Sequence, residues 1–310
     1  MPPLISIITP CLNRAQFIRE AIQSVLDQTY PDVEHIVVDA VSTDGTLDIL
    51  REYPHLRVIS EPDNGMYDAI NKGIRVAKGE IIGLLNTDDL YVPGCFETVN
   101  EAFSKAPDVL AVVGGIATFE DRNDVREFVN HFPSIAADEL WYRLIQGHPV
   151  TNAWFFRRKL FEQVGYFDTT FRYSADRYFL VKIALDGKVR PVPVHQELYY
   201  YRQHSGSITM HALDSRTPQY GLLRTKVLLE DIIALEGFLD RPVLPGEVRQ
   251  RMLREHGERC YRLAATALYH RRWRQGSHAI QRGWRRNVLW PLIFVEMAYR
   301  RLRWGVAGHD

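Results

Sequence analysis

Ile81-Ile82-Gly83-Leu84-Leu85 runs directly into Asn86-Thr87-Asp88-Asp89. The five leading residues read as a buried strand, which puts two adjacent carboxylates at its C-terminal end. Neighbouring carboxylates repel, and one tends to hold a proton unless a cation is close. A divalent metal carrying a diphosphate would relieve that repulsion. Mg²⁺ binds through one or two carboxylates plus phosphate oxygens, and Mn²⁺ takes similar ligands. The competing reading is a solvated turn that happens to hold two Asp, a common turn residue.

The residues before this stretch favour the first reading. Leu4 to Thr9 reads as a first strand, ended by Pro10. Gln16 to Gln28 has helical periodicity, with Phe17, Ala21, Ile22, Val25 and Leu26 on one face. His35 to Val38 is a second strand that ends at Asp39, and Ser42 to Thr46 offers N-cap chemistry for a second helix. Leu56 to Ser60 and Met66 to Ala77 add a third strand and a third helix. Strands alternating with helices predict an α/β fold, a Rossmann-type and mostly parallel sheet flanked by helices. Ligands of such sheets lie beyond the carboxyl ends of the strands. Residues 10–13, 39–44 and 86–89 all fall there, so three polar clusters are expected on one rim.

These blocks resemble the opening of family-2 glycosyltransferases with the GT-A fold. The residues that carry the resemblance are Thr9-Pro10-Cys11-Leu12-Asn13, Ser24 to Tyr30, Asp39 with Ser42 to Thr46, Glu61 to Gly73, Ala77 to Glu80 and Asn86 to Asp89. The likeness runs from about residue 4 to residue 210. It implies a catalytic domain over 1–212, a helical extension over 213–310, and transfer of a sugar from a nucleotide-diphospho-sugar with inversion. By the same resemblance Thr9, Pro10, Asn13, Asp39, Asp68, Lys72, Asn86, Thr87, Asp88 and Arg202 would hold the donor. Asp88, Asp89 and His204 would serve Mn²⁺ or Mg²⁺, with the main carboxylate ligand left open. A metal stabilises the charge of the leaving diphosphate. The sequence departs from the family pattern in two ways: Ala40 and Val41 follow Asp39 where a second acid is common, and Asn86 replaces the first acid of the metal motif.

The second half resembles the segment that supplies the family's base. Asp176, in Phe171-Arg172-Tyr173-Ser174-Ala175-Asp176-Arg177, matches the catalytic carboxylate. A helix N-terminus favours its ionised form, and a base must be ionised to accept a proton. The simpler alternative is a helix N-cap. Arg177 departs from the acidic pair of the family and is expected on the acceptor side, where it would steady the base, or near the diphosphate. His148 is expected to line the acceptor side or else to be structural. Tyr199 to Ser207 resembles a strand and loop closing the donor pocket, with Arg202 on phosphate and His204 on metal; an edge strand with an ordinary turn is the bland alternative. Asp68 and Lys72 lie one helical turn apart, as a surface ion pair or as donor contacts.

Composition allows one sizeable core plus a helical region in 310 residues, 46% of them hydrophobic. Cys11, Cys95 and Cys260 are few, odd in number and far apart, which favours a reducing, cytoplasmic setting. No signal peptide is expected at Met1-Pro2-Pro3-Leu4 and no spanning segment anywhere. The zero net charge is uneven: Arg251 to Trp304 holds thirteen Arg against three Glu, +10, leaving −10 elsewhere. With Trp273, Trp284, Trp290, Trp304 and the apolar stretch 288–295, residues 285–304 suit an anionic membrane surface, or else a packed helical extension. Ala264, Ala265, Ala267 and Leu268 in a helix pair over 258–286 suit a homodimer contact. No nucleic-acid module is recognisable. The resemblance thus points to a glycosyltransferase taking a UDP-, dTDP- or GDP-sugar to a glycan or lipid-linked acceptor in polysaccharide or glycoconjugate biosynthesis. The alternatives are an idle scaffold of the same fold or a sugar-1-phosphate nucleotidyltransferase. The latter needs a Gly-rich triphosphate loop that Pro10 to Arg14 does not provide.

Overall fold

The apolar runs of the first ninety residues become strands. In the computed structural model, β1 (Ile5–Cys11), β2 (Val33–Asp39), β3 (Arg57–Ser60) and β4 (Ile81–Leu84) lie in the order β3-β2-β1-β4, all parallel. The structure describes residues 2–123, 125–135, 140–146, 152–186, 189–207, 220–287 and 290–304, with only the backbone of 220 and 300–304. Helices α1 (Ile18–Leu26), α2 (Thr46–Arg51) and α3 (Met66–Val76) make the crossovers. The buried stripe Ile18, Ala21, Ile22 and Val25 packs α1 on the sheet, and Ile18 and Ile22 meet Cys11, Val37 and Leu50 in one cluster. Gly73 lets α3 approach β1, since a Cβ there would lie 2.4 Å from Cγ2 of Ile8.

Pro10 does not end the first strand. β1 continues to Cys11 and pairs with β2 through Cys11 and Asp39. The ladder with β4 covers only Ile5 to Ile8, so the missing N–H of Pro10 lies past that ladder, where a proline is tolerated.

Beyond β4 come β5 (Leu90–Tyr91), α4 (Cys95–Lys105), β6 (Ala111–Arg122), β7 (Val125–Phe132), α5 (Leu140–Ile145), β8 (Trp154–Arg157), α6 (Lys159–Val164), α7 (Ala175–Leu185) and β9 (Val192–Arg202). The sheet continues β4-β8-β6-β9-β5, with β7 on β6. Here β6 and β9 are parallel, and the remaining pairs are antiparallel. The fold is therefore α/β, parallel through its first four strands and mixed beyond them. Phe156, Phe161, Phe167 and Phe179 pack edge and face at centroid distances of 4.7 to 6.1 Å, anchoring α6 and α7.

These elements form one compact unit, Met1–Gln203; a second is His204–Asp310. The expected boundary at 212/213 lies outside the described residues. The second unit is helical: α8 (Tyr220–Leu239), α9 (Gly246–Tyr269), α10 (Trp273–Arg286) and α11 (Trp290–Trp304). Leu228, Ile232, Cys260, Leu263, Ala264, Ala279 and Trp290 form its core, with Ile280 and Phe294 against it. Trp290 donates from Nε1 to the Gly257 carbonyl at 3.0 Å. A Cβ on Gly283 would lie 2.4 Å from its ring. Ala264 and Ala267 are buried within this unit, while Ala265 is partly exposed. Among the described residues no helix is long and apolar enough to cross a membrane.

Candidate active site

The carboxyl ends of β1 to β4 carry the polar clusters that sequence spacing predicts there. Asp39, last in β2, is fully buried. Its Oδ2 accepts from the Ser42 N–H at 3.0 Å and the Ser60 hydroxyl at 2.8 Å, and its Oδ1 takes the Ser42 hydroxyl. Ser42 in turn accepts from the Asn13 N–H at 2.7 Å, and Asn13 Oδ1 accepts from the Thr43 N–H at 2.8 Å. Asn13 and Val41 have φ of +53° and +61°, left-handed turns held by these bonds. The loops after β1 and β2 are therefore one stitched surface around Asp39.

The Asn86–Asp89 turn divides its two carboxylates. Asp89 is 1% exposed. It accepts three hydrogen bonds: Asn86 Nδ2 at 3.0 Å, the Tyr199 hydroxyl at 2.8 Å and the Arg202 N–H at 2.8 Å. Burial first, then the charge of Asp88, pushes the Asp89 carboxyl up, while the three donors favour its ionised form. Asp88 is only half-buried. The geometry gives Asp89 the task of shaping the turn and leaves Asp88 nearer the surface. The Tyr199 hydroxyl also accepts from the Asn86 N–H at 3.1 Å. Register places Tyr199 on β9 opposite Tyr91 of β5, immediately past the turn. Thr87 is buried within it.

Arg202, expected on phosphate, is 3% exposed and occupied elsewhere. Its Nε donates to the Asp88 carbonyl at 2.9 Å, one Nη to Glu20 at 2.8 Å and the other to Asp121. The guanidinium lies 4.8 Å from the Phe119 ring centre and 5.2 Å from that of Phe17. Carboxylates and π-faces are preferred partners of a weakly hydrated guanidinium. It clamps the Asp88–Asp89 turn from behind.

Asp176 lies in the first turn of α7, two residues past the N-cap position, which is Ser174. Its Oδ1 accepts from the Tyr67 hydroxyl at 2.9 Å and from the Arg177 N–H at 2.7 Å. Tyr67 opens α3, so this bond ties α7 to the rim that follows β3. The Ser174 hydroxyl is buried with no partner among the described residues.

The remaining expected residues are placed as follows. The Thr9 hydroxyl meets Nε2 of buried His35 at 2.9 Å; burial pushes His35 down to about 3, so the ring is neutral. Pro10 is partly exposed at the end of β1. Asp68 accepts from the Asn64 N–H at 3.0 Å, and Lys72 reaches Glu61 at 2.9 Å, the Pro62 carbonyl at 2.8 Å and Asp68 at 3.7 Å. The Glu61 hydrogen bond pushes Lys72 up. Both residues brace the loop after β3. Arg177 is half-buried beside Asp176. His204 begins the second unit in a turn closed by the Ser207 N–H at 3.0 Å. His148 lies outside the described residues. Tyr67, Tyr199, Glu20 and Asp121 act at these clusters without having been singled out from sequence. Tyr67 lies inside the block Glu61 to Gly73 and Tyr199 opens the stretch Tyr199 to Ser207; Glu20 and Asp121 carry no such signal.

Among the described residues no three His, Cys, Asp or Glu side chains converge to hold a metal alone. One half-buried carboxylate, Asp88, backed by a buried one, fits a hard cation that takes its other ligands from phosphate and water.

The model of the family described as Glycosyl transferase family 2 matches residues 6–165. The uncharacterized glycosyltransferase EpsJ of Bacillus subtilis (strain 168) is 30% identical over 225 residues, 67% of this chain and 64% of that protein. The chain thus spans just under two thirds of that relative. Staphylococcus aureus TarS residues 1–349, solved with UDP-GlcNAc, has a TM-score of 0.57 at 16% identity, over 96% of this chain and 92% of that one. The mannosyltransferase PcManGT of Pyrobaculum calidifontis, solved with GDP-Man and Mn²⁺, also scores 0.57, at 19% identity over 97% and 81%. At these identities the two structures speak for the fold.

Proposed function

The chain belongs to glycosyltransferase family 2, and from that premise we propose that it is an inverting glycosyltransferase. It moves a sugar from a nucleoside-diphosphate donor to a glycan or lipid-linked acceptor, in the assembly of a surface polysaccharide or related glycoconjugate. The observation that carries the reading is the Asn86–Asp89 turn. At the carboxyl end of β4 it holds one half-buried and one buried, triply hydrogen-bonded carboxylate.

Asp39 and the Asn13–Ser42 surface around it receive the nucleoside. Asp88 would hold Mn²⁺ or Mg²⁺ against the diphosphate. When bound, that cation supplies Lewis-acid stabilisation of the leaving phosphate. Asp89, Tyr199 and Arg202 keep the Asp88 backbone in place. Asp176 takes the proton of the acceptor hydroxyl as its oxygen bonds to the anomeric carbon. The bond from that carbon to the β-phosphate oxygen breaks, and nucleoside diphosphate leaves. The bound UDP-GlcNAc of TarS and GDP-Man of PcManGT make uridine and guanosine sugars the first donors to try.

A peripheral position at the inner face of a membrane is favoured by α11. Leu292, Val295 and Tyr299 lie along one stripe of that helix, 66, 63 and 60% exposed, in the basic segment Arg251–Trp304.

A panel of UDP-, GDP- and dTDP-sugars with Mn²⁺ or Mg²⁺, read by nucleoside diphosphate release, tests the activity. Release from at least one donor is expected. A chain that binds donors but never releases nucleoside diphosphate, with water or with lipid-linked and glycan acceptors, would be the idle scaffold instead.

A further inference from the structure

Tyr67 and Asp176 are 109 residues apart and open two different helices, yet their side chains meet at 2.9 Å. Several contacts enforce that meeting. The Tyr67 ring stacks on Phe167 at 6.0 Å and 28°, and Phe167 lies 4.7 Å from Phe179 of α7. Asn71, one turn further along α3, donates to the Phe167 carbonyl at 2.8 Å and accepts its N–H at 3.1 Å. This buried amide pair fixes the chain before α7 against α3. Tyr67 is itself 3% exposed. Burial first, then the charge of Asp176, pushes its phenol well up. It therefore stays protonated and can only donate to the carboxylate.

The two bonds to Asp176 both fall on Oδ1, from Tyr67 and from the Arg177 N–H. No hydrogen bond among the described residues reaches Oδ2. We propose that Tyr67 is a positioning residue: it locks Oδ1 so that Oδ2 is presented to the acceptor hydroxyl. The inference rests on the reading of Asp176 as the base. The physical warrant is orientational: a base held in one rotamer is spared the cost of finding the geometry that reaches the reacting proton.

Tyr67→Phe in the full chain removes the hydroxyl and keeps the ring on Phe167. Nucleoside diphosphate release from a donor that the wild-type protein turns over is followed, with Asp176→Asn in parallel. Tyr67→Phe is expected to lower kcat about 10-fold or more with donor KM within about twofold. A kcat equal to wild type, or a raised donor KM at unchanged kcat, overturns the proposal. The underlying reading fails separately, if Asp176→Asn turns over nearly as well as wild type.

Discussion

Both units bury charged side chains, but the two arrangements differ. In the helical unit the ion pairs join residues of one helix or of neighbouring helices. Arg259 meets Glu255 at 2.6 Å and Asp231 at 3.4 Å, and Glu236 takes Arg282 at 2.8 Å and His256 at 3.2 Å. In the first unit the buried Arg202 serves Glu20, Asp121 and the turn of Asp88 and Asp89. Arg126 adds a second cation on Glu20 at 2.9 Å. Asp88 and Asp89 stand side by side there, at the end of a strand in a parallel sheet. Ion pairs hold helices together; adjacent carboxylates at a strand end invite a cation. The same residue types are structural in one unit and form a candidate site in the other.

The comparison is sharpened most by removing the base. Asp176→Asn is expected to lower turnover by ~10² to 10⁴, the scale of general-base loss, with donor binding unchanged. Steady-state kinetics and calorimetry check both parts. The next effect belongs to the helical unit. Trp290→Ala removes the side chain packed on Gly257 and Gly283 and should cost about 3–5 kcal/mol, read as a lower midpoint of helix unfolding. Donor binding measured below that midpoint should hold; its loss would break the division of labour drawn here. The smallest effect concerns the stripe on α11. Each Arg near an anionic surface contributes ~1 kcal/mol, screened by salt. Sedimentation with anionic vesicles at low salt is expected, weakened by Leu292→Ser with Val295→Ser and by added salt. No sedimentation of the full chain would leave α11 as a packing helix alone.

The first half of the sheet was legible because its strands are continuous apolar runs and its helices have one apolar face. Asp39, Asn13 and the Asn86–Asp89 turn were legible because parallel topology places them at strand ends. The separate tasks of Asp88 and Asp89 were not, because burial of the second depends on Tyr199 and Arg202, 110 and 113 residues away. Arg202 looked like a phosphate ligand for the same reason: nothing local announces that Glu20 and Asp121 will enclose it. The stretch 288–295 read as apolar throughout, yet α11 turns Trp290 inward and Leu292 outward. Composition alone cannot assign those faces.

The central claim is that the Asp88–Asp89 turn of the first unit is a cation-assisted nucleotide site, and calorimetry of UDP and GDP binding tests it most directly. The measurement compares wild type and Asp88→Asn, with Mn²⁺ and with chelator. The account expects at least one nucleotide to bind wild type ~10-fold or more tightly with Mn²⁺, about 1.4 kcal/mol, and Asp88→Asn to lose that gain. Equal affinity with metal and with chelator, or an undiminished metal effect in Asp88→Asn, would contradict it.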